Sequence, residues 1–113
     1  TGSQSLTILG LPSNLLATLP PNIGNLNNLA RLRLQGNRLT RLPPTIAFLH
    51  ALKELMVTGN QLTALPDLTH LLCMVELSFA DNKVEEMPDV GGLEKLQEIW
   101  GYGNRIRRVG PGF

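Results

Sequence analysis

Two histidines, His50 and His70, a single cysteine, Cys73, and the hydroxyls of Ser13, Thr58 and Ser78 are the side chains to try first for catalysis. A histidine pair could begin a zinc site, but zinc takes four ligands and no third and fourth stand at ligand spacing from these two. Cys73 lies in the apolar run LLCMV with no neighbouring base or helix start to lower its pKa, so it reads as a small core or subsurface residue. None of the hydroxyls has a histidine and an acid at a spacing that would make it a nucleophile. GGLEK and GYGN contain glycines but lack the lysine and hydroxyl residue that a phosphate cradle places at a helix start. No catalytic residue, metal or cofactor is expected, and the chain does not read as an enzyme.

Charged and aromatic side chains tell a different story. Glu54, Glu76 and Glu98 stand 22 residues apart, and Arg31 stands 23 residues before the first of them, with Arg33 beside it. Trp100 and Tyr102 are the only tryptophan and tyrosine in the chain. Aromatics and arginines of this kind commonly anchor protein interfaces. To act together they must be carried to one surface, which turns attention to the elements that hold them.

Residues 29–51, LARLRLQGNRLTRLPPTIAFLHA, are the template for those elements. Leu32 and Leu34 alternate as in a short strand, Asn37 marks a turn, and Leu42, Ile46 and Leu49 return at three-to-four spacing for a short segment on the opposite side. The unit recurs, with asparagines at Asn14, Asn37, Asn60, Asn82 and Asn104, at intervals of 23, 23, 22 and 22 residues. The first copy is framed by Leu6, Leu9, Leu11, Leu16 and Leu19, the third by Leu52, Leu55, Val57, Leu62 and Leu65. The fourth keeps size with Met74, Leu77, Phe79, Val84 and Met87. The fifth has Leu96, Ile99, Ile106 and Val109, with Gly101 as the one break in the apolar frame.

This LxxLxLxxNxL pattern resembles the leucine-rich repeat family over essentially the whole chain. Within the family, LPxxI at residues 42–46 resembles the typical intracellular class, and the 22-residue units resemble the shorter class of a regulatory subunit of protein phosphatase 1. The resemblance implies an α/β fold: a curved right-handed solenoid with a parallel β-sheet on its concave face and short helical, 3₁₀ or extended segments on its convex face. Five repeats are expected at residues 6–28, 29–51, 52–73, 74–95 and 96–113, the last incomplete, after a polar tail at residues 1–5.

Composition agrees with this. The 113 residues carry a net charge of +1, so neither nucleic acid nor an anionic membrane is the expected partner. One cysteine cannot build a disulfide framework, and extracellular relatives usually carry cysteine-rich caps, so a reducing, cytoplasmic compartment is expected. No apolar stretch is long enough for a membrane helix, and the first ten residues have no signal-peptide pattern. Thr1-Gly2-Ser3, without methionine, reads as a vector remnant at the start of a trimmed or excised fragment.

Within each unit the asparagine is expected to satisfy backbone groups that lose water where the chain turns inward. Pro20, Pro43, Pro66 and Pro88 fix the exit to the convex side. Doubled prolines at 20–21 and 43–44 predict short helical turns over residues 22–26 and 45–49. The shorter DLTHL and DVGGL segments predict a tighter 3₁₀ or extended connection.

Because strand side chains alternate, residues beside the leucines point outward and line up between repeats as three columns. The first is Ile8, Arg31, Glu54, Glu76, Glu98; the second Gly10, Arg33, Met56, Ser78, Trp100; the third Pro12, Gln35, Thr58, Ala80, Tyr102. Arg33 stands where it can pair with Glu54, leaving Glu76 and Glu98 without an internal partner. Two accounts of these glutamates stay open: a solvated surface, or an acidic strip for a basic ligand. Small residues at 78 and 80 predict a shallow apolar recess between Met56 and the aromatics. Trp100 reads either as an interface anchor or, with Phe113, as a cap over an open end loosened by Gly101. Arg105, Arg107 and Arg108 are too few for nucleic-acid recognition and read as a solubilising terminal turn or a dock for a further domain. The expected function is capture of a partner protein or peptide, a basic one where the acidic strip is its site, on Arg31, Arg33, Glu54, Met56, Glu76, Glu98, Trp100 and Tyr102, as a scaffold, adaptor or targeting segment. The alternative is an interior piece of a longer array with an empty concave face, which would be monomeric or associate weakly end to end.

Overall fold

Residues 6–109 are described by the computed structural model, with the side chains of Arg108 and Val109 outside the description. The tail at residues 1–5 and the capping role of Phe113 therefore fall outside the described residues.

Strands form where apolar and polar residues alternate ahead of each asparagine: β1 (Ile8–Gly10), β2 (Arg31–Arg33), β3 (Glu54–Met56), β4 (Glu76–Ser78) and β6 (Glu98–Trp100). They make one parallel sheet in the order β1-β2-β3-β4-β6. Its register sets Leu9, Leu32, Leu55, Leu77 and Ile99 side by side. Leu32, Leu55 and Leu77 are fully buried, with Leu34, Val57 and Phe79 two residues on. The core is thus a stack of equivalent apolar rungs, and each fully buried leucine contributes roughly 1.5–3 kcal/mol before ordering costs. At the ends, Leu6, Leu9, Leu11, Leu96, Ile99 and Ile106 are only partly buried.

The asparagines bind each rung to the one before. Asn60 Nδ2 donates to the carbonyls of Leu34 and Val57 at 3.0 and 2.9 Å, while its Oδ1 accepts the Leu39 N–H at 3.1 Å. Asn82 and Asn104 repeat the arrangement one and two rungs further on. Asn37 serves the first repeat, donating to Leu11 and Leu34 and accepting from Asn14 and Leu16. Asn14 has no earlier repeat to bridge in the described residues, and it is exposed. The residue before each asparagine has a left-handed backbone: Gly36, Gly59 and Gly103 have φ of 71–74°, with Ser13 and Asp81 at 55° in the same place.

On the convex side, each doubled proline starts a 3₁₀ helix, Pro21–Asn25 and Pro44–Phe48, whereas the sequence predicted helical turns one residue later. The first proline of each pair stays extended and the second occupies the first turn. Thr45 Oγ1 ties the two segments together by donating to the Pro21 carbonyl at 2.6 Å. In the 22-residue repeats, aspartate follows the proline and no helix forms. Asp67 accepts the Thr69 N–H at 2.9 Å, and Asp89 the Gly91 N–H at 3.1 Å, closing Asx turns; of the 3₁₀ or extended connection expected, the 3₁₀ helix does not form.

A second sheet was not foreseen. β5 (Glu86–Met87) and β7 (Arg108–Val109) pair in parallel beyond the asparagine turns. No helix among the described residues is long and apolar enough to cross a membrane.

Candidate protein-binding face

Strand register alone brings the outward residues together. Arg31, Glu54, Glu76 and Glu98 are successive partners along the first column, and Arg33, Met56, Ser78 and Trp100 along the second. The third column is held in line by backbone bonds, including Ser13 N–H to Gln35, Gly36 N–H to Thr58, Gly59 N–H to Ala80 and Asp81 N–H to Tyr102. All eight residues singled out from the sequence therefore lie on one face.

Its charges divide unevenly. Arg33 Nε donates to Glu54 Oε1 at 2.7 Å. Hydrogen bonding and charge from Glu54 raise the guanidinium pKa above its ordinary value, with a smaller contribution from Glu76. Glu76 and Glu98 make no ion pair among the described residues. They are in-register neighbours, and adjacent strands lie about 4.8 Å apart. Like charges so placed repel, and a cation between them relieves that repulsion.

Trp100 and Tyr102 are 45% and 63% exposed, so both face outward as the alternation required. Gly101 does not loosen the last strand, which stays in register with β4. A Cβ at Gly101 would lie 2.7 Å from Phe79 Cζ, so the ring of the fourth repeat occupies the space that a side chain of the fifth would need. Phe79 where other repeats carry leucine or valine was the available sign of this compensation.

The recess expected between Met56 and Trp100 is not open. Ala80 is 0% and Ser78 4% exposed, and Thr58 and Ser78 join their hydroxyls at 2.5 Å. Small side chains there let neighbours close over them, so the aromatics stand on a filled floor. The basic terminal cluster is also partly absorbed: Arg107 pairs with Glu85 of the preceding repeat at 2.5 Å, which the sequence reading missed. His50 and His70 are both exposed, and no group of three or more potential metal ligands occurs among the described residues.

A family model described as leucine rich repeat matches residues 4–62, more than half of the chain. The chain belongs to the leucine-rich repeat family. Solved members superimpose on it closely. A leucine-rich repeat protein of Leptospira interrogans shares 32% identity over 96% of this chain, with a TM-score of 0.84. Internalin C2 of Listeria monocytogenes shares 30% identity over 92%, with a TM-score of 0.83. This leucine-rich repeat chain spans 27% of the first protein's length and 45% of the second's. No match is found among curated proteins. Proteins of the family generally mediate protein–protein interactions and typically lack catalytic activity, and the solenoid here presents a sheet suited to such a role.

Proposed function

We propose that this chain is a protein-interaction module that holds a partner protein or peptide on the outward face of its five-stranded sheet. Trp100 and Tyr102 anchor the partner, Met56 adds apolar contact, and Glu76 and Glu98 receive its basic groups. Arg31, Arg33 and Glu54 set the charge at the other end. The observation that carries this reading is the outward exposure of both aromatics beside two carboxylates that have no ion-pair partner among the described residues. A scaffold whose face is held by a stacked core loses little ordering entropy on binding. Within this reading the module belongs to the intracellular class with its shorter 22-residue variants and acts in the cytoplasm as a scaffold, adaptor or targeting segment of a signalling protein. The LPxxI segment and the single cysteine support that placement.

Peptides selected against the chain from a random display library test the site. Enrichment of lysine or arginine beside an apolar residue is expected, and the double change Trp100→Ala/Tyr102→Ala should weaken binding roughly 30-fold or more, as expected of interface hot spots. The far-UV circular dichroism should stay unchanged. Full-strength binding by the folded variant would refute the site.

A second reading, a segment within a longer array, is favoured by the partly buried residues at both ends, Leu6, Leu9 and Leu11 at one and Leu96 and Ile99 at the other. It predicts end-to-end association that grows with concentration in light scattering. A persistent monomer refutes it.

A further inference from the structure

The residue after each asparagine forms a row outside the columns, cationic at three of its five positions. It comprises Leu15, Arg38, Gln61, Lys83 and Arg105. The backbone N–H groups of Arg38, Gln61 and Lys83 each donate at 2.8 Å to the preceding repeat, at Leu16, Leu39 and Leu62, and that of Arg105 donates to Val84 at 3.0 Å. The row is therefore built rung upon rung. All of it is exposed, and none of it is acidic. Arg38, Lys83 and Arg105 make no ion pair among the described residues. Glu85, which lies beside Arg105, is paired with Arg107. Asp81, also exposed, is a single carboxylate two residues before Lys83 and makes no ion pair with the row among the described residues.

Along the far edge of the sheet runs the row of Glu54, Glu76 and Glu98. Lys83 is seven positions after Glu76, which at about 3.3 Å per strand residue, less the bend at the turn, sets the rows on the order of 15–20 Å apart. From Glu54 to Glu98 the first column is thus acidic ahead of Met56 and Trp100, and the row beyond the turns carries cations at Arg38, Lys83 and Arg105.

We propose that the ridge of Arg38, Lys83 and Arg105 is a second contact strip for the same partner, taking a row of the partner's carboxylates. The partner then lies with its acidic edge on the ridge and its basic edge over Glu76 and Glu98. This rests on the concave-face reading and adds an orientation to it. Complementary potentials of this kind fix register and speed encounter more than they add affinity. Protein carboxylates fit better than a polyphosphate: the cations are few, the chain's net charge is only +1, and glutamates line the opposite edge.

The test uses the whole chain and a peptide selected on its concave face. The triple change Arg38→Glu/Lys83→Glu/Arg105→Glu is expected to weaken that peptide about tenfold or more, and replacing the peptide's acidic residues with lysine should restore binding to the variant. The neutral triple change to glutamine should give an intermediate loss and serves as the readout if charge reversal disturbs folding. In amide NMR titrations, hexaglutamate should shift residues 38, 61, 83 and 105 and not 76 or 98, in the Trp100→Ala/Tyr102→Ala chain as well. Undiminished peptide binding in both ridge variants overturns the ridge and leaves the aromatic site standing. Tighter binding of hexathymidylate than of hexaglutamate overturns the assignment to protein carboxylates.

Discussion

Replacing Asn60 with alanine measures how much the asparagine ladder contributes, and the structure sets the size of the effect. Four bonds are lost: those from Nδ2 to Leu34, Val57 and, at 3.5 Å, Thr58, and that from the Leu39 N–H to Oδ1. The losses are unequal. The Leu34 carbonyl still accepts from Asn37 at 2.9 Å, and the Val57 carbonyl from Asn82 at 3.0 Å. Only the Leu39 N–H loses its sole partner among the described residues, inside a buried turn. One orphaned buried donor and three thinned acceptors, of which Thr58 keeps the Gly36 N–H, together cost about 2–4 kcal/mol. For a domain of this size that lowers the melting temperature by roughly 10 °C or more.

Asn14→Ala is the internal control, since Asn14 is exposed, and its change should stay within about 0.5 kcal/mol. Asn60→Asp separates the roles of the amide. It keeps the acceptor for Leu39 but aims a carboxylate at two carbonyls, so it should destabilise more than alanine does. Urea unfolding followed by circular dichroism and by Trp100 fluorescence gives both numbers and checks that the two probes unfold together. Equal costs at Asn14 and Asn60 would refute the ladder argument.

Gly101→Leu, which restores the apolar frame, should destabilise by about 1–3 kcal/mol through the clash with Phe79, and Phe79→Leu in the same chain should recover much of the loss. Additive costs in that double-mutant cycle would show that the two residues do not share one space. Asp67 should titrate below the ordinary aspartate value, because the Thr69 hydroxyl and N–H donate to its carboxylate. Its folded pKa is depressed, so the stability it adds is present above the unfolded pKa and fades as pH falls through the folded one. Carboxyl-carbon NMR of the wild-type and Thr69→Val chains checks this, with the midpoint rising in the variant.

Much of this architecture was legible because one pattern is written repeatedly. Once the asparagines fix the frame, strand alternation gives the columns, and the columns put Arg33 beside Glu54 and both aromatics outward. What was missed depended on contacts between repeats outside that frame. Gly101 looked like a defect until set beside Phe79, its equivalent one repeat earlier. The Glu85–Arg107 pair follows from the same column logic applied after the asparagine, where there is no alternation to invite it. β5 and β7 are two residues each and carry no period at all. The filling of the floor over Ser78 and Ala80 depends on side-chain rotamers, which spacing does not encode. The aspartates after Pro66 and Pro88 could have announced Asx turns, since aspartate readily bonds the backbone two residues on.

The separation of core from face also determines how experiments on this molecule can be combined. Stability resides in rungs of leucine and in asparagines that bridge neighbouring turns, and neither uses the side chains of Trp100, Tyr102 or the ridge. Substitutions on the two strips should therefore leave the core intact. Where they are more than about 7–10 Å apart and share no partner, their effects on folding should add. Their effects on binding should not add if one partner spans both strips, because losing either contact changes the effective concentration at the other. Combining the ridge reversal with the aromatic double change thus distinguishes one continuous interface from two independent surfaces: coupling in binding with additivity in unfolding is the signature of a single oriented partner.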